Sequence, residues 1–71
     1  MSQTIRAEMV ASVHSVVAAV GDALQAGDTV VILESMKMEI PVVAERAGVV
    51  DVLAVTPGDV VQEGDVIAVL V

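Results

Sequence analysis

The chain has 71 residues, a formal charge of −7 at neutral pH, 56% hydrophobic residues, a single lysine and a single histidine, and neither cysteine nor any aromatic residue. These counts exclude a disulfide staple, a Cys/His zinc centre and an aromatic base-stacking platform, and a chain this acidic has little with which to neutralise a phosphate backbone, so nucleic acid is not an expected partner. A chain of this length is expected to form one domain over residues 1–71, with a core built from aliphatic packing alone.

The first residues, MSQTIRAEMV, lack a basic stretch followed by an apolar one, so no signal peptide is expected and the cytoplasm is the expected compartment. Mean hydropathy is high at +0.88. Even so, no apolar run approaches the roughly 20 residues of a spanning helix, and no membrane association is expected. Valine dominates the apolar set, and its β-branched side chain favours strands.

VASVHSVVAAV places Val10, Val13, Val17 and Val20 at helix-like spacing. An internal repeat argues for β structure instead. VGDALQAGDTVVIL from Val20 and PGDVVQEGDVIAVL from Pro57 match at a shift of 37 residues, which lays Gly21, Asp22, Gly27, Asp28 and Leu33 on Gly58, Asp59, Gly64, Asp65 and Leu70. The copies run ungapped from Ile5 to Glu34 and from Val42 to Val71. The second copy of the ambiguous segment, AGVVDVLAVTP, carries a glycine, a closing proline and alternation at Val50, Val52 and Ala54. That is poor helix material, so both copies read as strand. The four Gly-Asp pairs read as turns, because glycine supplies positive φ and aspartate bonds nearby backbone. Short apolar runs such as VVILE and VIAVLV lie between them. Two copies are too few for a solenoid and are expected to share one core across a pseudo-twofold axis.

The one segment outside both copies is SMKMEIP, residues 35–41, and it holds the lone lysine, Lys37, between Met36 and Met38. A short link between twofold-related copies makes a hairpin with an exposed tip. Most lysines are merely solvated charges and most methionines fill gaps in cores. A sole lysine, in the sole non-repeated segment, flanked by apolar residues, favours a dedicated amine. His14 could pair with Ser12 on one strand face, but no third member or strained nucleophile turn accompanies them, so it reads as a surface histidine. The carboxylates show no metal-loop spacing. No catalytic residue and no metal site are expected.

ESMKMEIPV, followed later by the G-D-x-V-x-x-G-D pattern at residues 58–65, resembles the biotinyl (biotin carboxyl carrier) domain of biotin-dependent carboxylases. The likeness covers essentially the whole chain. It implies an all-β flattened barrel, or barrel-sandwich hybrid, of two four-stranded antiparallel sheets. It also implies covalent biotin on Lys37, recognition of Met36 and Met38 by a biotin protein ligase, and weaker ligase contacts from Glu34 and Glu39. The implied role is that of a carrier and not an enzyme, moving an activated carboxyl group between a biotin carboxylase and a carboxyltransferase. Position 35 is serine where the family more often has alanine. The ungapped repeat leaves no room for the inserted thumb of some bacterial carriers, and a stand-alone carrier is expected. A lipoyl domain shares the fold and the tip lysine, but there the lysine usually sits in Asp-Lys-Ala. An unmodified interaction module of the same fold is the other alternative.

Overall fold

The computed structural model describes residues 2–71. Among them every regular element is a strand: β1 (Gln3–Arg6), β2 (Ala11–Val16), β3 (Ala23–Leu24), β4 (Thr29–Ser35), β5 (Met38–Val43), β6 (Gly48–Leu53), β7 (Val60–Val61) and β8 (Val66–Leu70). Among the described residues no helix is long and apolar enough to cross a membrane. The strands form two four-stranded antiparallel sheets, ordered β1-β8-β6-β3 and β5-β4-β2-β7. Shifting each strand of the first sheet by four, one repeat of the chain, turns its order into that of the second, as the pseudo-twofold expectation requires.

The two halves interleave. β1 and β3 lie in one sheet and β2 and β4 in the other, so the chain changes sheet at each connection except β4–β5. That hairpin is therefore the one place, among the described residues, where consecutive strands are also hydrogen-bonded neighbours. Its symmetry equivalent is the β1–β8 pair, where Gln3 faces Leu70 as Ile40 faces Leu33. β1 thus begins, and β8 ends, where a second hairpin would be.

Four of the six crossings use turns of one design. In each, the aspartate N–H donates to the carbonyl three residues earlier, while its Oδ2 accepts from that same residue's N–H. For Gln25–Asp28 these distances are 3.1 and 2.8 Å. Glycine occupies the third position, where a type II turn needs positive φ. Each turn then clips onto the other half of the chain. Gly27 N–H donates to Ala44 O and Ala44 N–H to Asp28 O, at 2.8 and 2.9 Å. Gly64, Ala7 and Asp65 repeat this at 2.8 Å for both bonds.

Gly27 and Gly64 have φ of +91° and +93°, and a Cβ at either would meet nothing within 4 Å. The case for glycine there is conformational and not steric. We expect Gly27→Val or Gly64→Val to cost about 1–3 kcal/mol through backbone strain alone. Thermal melts check this, and an unchanged midpoint would contradict the turn assignment.

The core fills from both sheets with aliphatic side chains, among them Val30, Val31, Leu33, Val50, Ile67 and Leu70. Among the described residues no buried polar side chain is left without a partner. The helix-like valine spacing is resolved by β2: Val13 is buried while Val10, Val17 and Val20 are exposed, so the four share no common face.

Candidate functional site

The β4–β5 hairpin closes through a two-residue loop. Ser35 faces Met38 and Glu34 faces Glu39, leaving Met36 and Lys37 as the loop residues. Both are left-handed, with φ of +53° and +64°. Two successive positive φ values make a type I′ turn, whose twist matches that of the strands it joins and which ordinarily selects Asn-Gly or Asp-Gly. A methionine and a lysine in that conformation cost roughly 1–2 kcal/mol each. The fold alone would favour other residues at this loop, so the sequence holds side chains there that the turn does not want. We expect Met36→Asn to stabilise the domain by about 0.5–1 kcal/mol, because asparagine tolerates the left-handed region. A thermal melt tests this, and a lower midpoint would contradict the loop geometry.

The loop stands clear of the domain. Met36 and Met38 are 89% and 60% exposed, and Lys37 is exposed between them. Among the described residues no carboxylate lies within ion-pair distance of the Lys37 ammonium; the recorded ion-pair contact is elsewhere. The two arginines are occupied, Arg6 donating to Gly64 O and Arg46 to Ser2 O, each at 2.9 Å. Among the described residues the lysine is thus a free cation, on an extended, well-paired neck.

Below the tip the neck is acidic. Glu34 and Glu39 sit directly opposite each other, an unfavourable like-charge pair. His14 comes to this place through a bulge: β2 pairs Val13 with Leu33 and Ser15 with Ile32, so His14 is the extra residue and is turned outward. Its Nε2 lies 3.9 Å from Glu39 Oε2, and both side chains are well exposed. An exposed contact of that length contributes little. Its Nδ1 lies 3.5 Å from Ser15 Oγ, while the Ser12 hydroxyl donates to the Glu34 carbonyl at 3.4 Å. The Ser12–His14 pairing considered from the sequence is therefore not formed, and His14 is a surface residue. Its approach to the hairpin was not foreseen, since a bulge leaves no mark in the alternation. Among the described residues no group of three or more potential metal ligands gathers.

An open groove of about 380 Å³ runs between the edge strands β1 and β5, which are not hydrogen-bonded to each other. Ile5 and Val42, related by the repeat, both line it. Met9, Leu33 and Ile40 line it as well.

A lone exposed amine at the tip of a well-paired hairpin can be acylated by an outside catalyst. Comparison with known proteins bears on what that acyl group is. The family model described as "Biotin-requiring enzyme" matches residues 3–70. A protein of Mycobacterium leprae named "Biotinylated protein TB7.3 homolog" is 56% identical over 70 residues, covering 99% of each chain. Among solved structures, urea carboxylase of Kluyveromyces lactis superposes with a TM-score of 0.94 at 39% identity, over 100% of this chain but 6% of that one. The lipoyl domain of the 2-oxoglutarate dehydrogenase complex from Azotobacter vinelandii superposes with a TM-score of 0.76 at 23% identity, over 94% and 95% of the two chains, which is a likeness of fold.

Proposed function

The chain belongs to the biotin- and lipoyl-attachment domain family, and from that premise we propose that it is a biotin carboxyl carrier whose attachment point is Lys37. The observation that carries this reading is the lone lysine, exposed in a two-residue left-handed loop and flanked by Met36 and Met38. A solvent-facing primary amine with no ion-pair partner among the described residues fits an amide-linked prosthetic group, because no ion pair of theirs has to be broken for it to react.

In this reading a biotin protein ligase presents an activated biotin carboxyl. The neutral Lys37 amine attacks the carbonyl of that biotinyl-adenylate, the C–O bond to AMP breaks, the amine proton is lost to solvent, and an amide stands in place of the ammonium. Met36 and Met38 supply apolar contact to the ligase, and Glu34 and Glu39 supply weaker polar contact on the neck. The paired strands beneath the loop fix where the amine points, which lowers the ordering cost of docking. Bound biotin supplies a ureido nitrogen that can carry a carboxyl group. The domain contributes tethering: it holds the group at a high effective concentration near two successive enzymes, a biotin carboxylase and a carboxyltransferase. In this reading the role is that of carrier and not of enzyme. Met36-Lys37-Met38, in place of the usual Asp-Lys-Ala, favours biotin over lipoate.

Intact mass after co-expression with a biotin ligase tests the attachment. Addition of one biotinyl group is expected. A lipoyl increment would select the other cofactor, and no increment beside a competent ligase would leave an unmodified interaction module.

A further inference from the structure

We propose that the surface by which the modifying enzyme recognises this domain extends beyond the hairpin to Met9 and Val10, on the first crossover between sheets. The inference rests on Lys37 being an acylation site and asks what else the acylating enzyme touches.

The register places these residues beside the tip. β2 runs antiparallel to β4, and their pairing ends with Ser12 opposite Glu34, so the segment that leads into β2, Met9 and Val10, enters from the tip end of the neck. Met9 lines the same groove as Leu33 and Ile40, the pair at the inner end of the neck. All three methionines of the described chain, Met9, Met36 and Met38, thus gather at one end of the molecule. Met9 is 37% and Val10 is 64% exposed. Exposed methionines make soft, adaptable contacts, which suits a surface that must be engaged and then released.

The internal repeat supplies a control for what the fold itself requires. Met9 and Val10 correspond to Arg46 and Ala47, in a second crossover with the same backbone path: a buried alanine, two bend residues, then a strand. The fold accepts a long polar side chain and a small one at these positions. Of these two equivalent crossovers, the one beside the lysine carries the exposed pair of large apolar side chains, where packing does not ask for it. Glu8, Glu34 and Glu39 are exposed around it. The complementary partner surface is an apolar hollow rimmed by basic side chains, set beside an active site that delivers an acyl group to an amine.

The test exchanges the crossovers. The double variant Met9→Arg, Val10→Ala carries the residues that the other half already uses, and Met9→Gln, Val10→Thr is a milder pair should the first melt lower. Initial rates of biotinylation by a purified ligase are measured over a range of carrier concentrations, beside thermal melts. We expect an unchanged melting midpoint and a fall in kcat/KM of about tenfold, a loss worth one decade of affinity and expressed mainly in KM. Met9→Leu should retain the parent rate within about twofold, and Arg46→Met, Ala47→Val at the far end should leave it unchanged. Parental kcat/KM in a well-folded crossover variant would overturn the proposal, as would equal losses from the far-end pair. A parent chain that the ligase leaves unmodified would instead overturn the attachment reading, and this inference with it.

Discussion

Lys37→Arg is expected to abolish modification completely while leaving the fold unchanged. Arginine keeps the positive charge and much of the length, so electrostatics at the tip change little. A guanidinium stays protonated in proteins and offers no neutral amine nucleophile. The side chain is exposed in a loop that leans on no core contact. Surface substitutions of this kind usually alter stability by less than about 0.5 kcal/mol. Both strand ends of the neck retain their pairing, because the hairpin hydrogen bonds are made by backbone. The paired readout is intact mass after ligase treatment and a thermal melt. Residual biotinylation would mean that another nucleophile accepts the group. A large fall in melting temperature would mean that Lys37 supports the fold, contrary to its placement.

Leu33→Ala and Leu70→Ala are expected to destabilise the domain severely and by similar amounts. They are equivalent under the repeat, lie in inner strands of opposite sheets, and are 2% and 1% exposed. Truncating a buried leucine removes transfer free energy and leaves a cavity, together about 2–5 kcal/mol. A domain of this length has a total stability of roughly 4–10 kcal/mol. Either change therefore removes a large part of it and should lower the melting temperature by about 10 °C or more. The two costs should agree within about 1 kcal/mol, although Leu33 lies mid-chain and Leu70 is the penultimate residue. Denaturant titration of both variants checks this. Tolerance of Leu70→Ala with a large effect of Leu33→Ala would show that the C-terminal strand does not carry its half of the core.

Much of this architecture was legible because two signals agreed. The 37-residue repeat exposed the symmetry, and the Gly-Asp pairs marked all four type II turns, each glycine having positive φ. The repeat also decided against a helix at Val10–Val20, since Ala47–Pro57 could not form one. The two-residue strands β3 and β7 left no trace, because their pairing with β6 and β2 is set by partners distant in sequence and not by a run of their own. The interleaving of the halves was hidden for the same reason: the clips between turns and opposite strands are backbone bonds, which side-chain pattern does not report. At the site, the hairpin and its lysine were expected, but not the left-handed pair at Met36 and Lys37. The usual cue for a type I′ turn is Asn-Gly, and here the loop residues were chosen against the turn's own preference. Met9 carried no signal in the sequence, because the groove that it shares with Leu33 and Ile40 is built by residues distant along the chain.

The central claim is that this domain carries a carboxyl group on Lys37 from one enzyme to another. The most direct measurement supplies the biotinylated chain with a biotin carboxylase, ATP and isotopically labelled bicarbonate, re-isolates the chain, and then adds a carboxyltransferase with its acceptor. The account expects label on the parent chain that is discharged to the acceptor, and none on Lys37→Arg. A biotinylated chain that acquires no label beside an active carboxylase, or one whose label is undiminished by the lysine substitution, would contradict it.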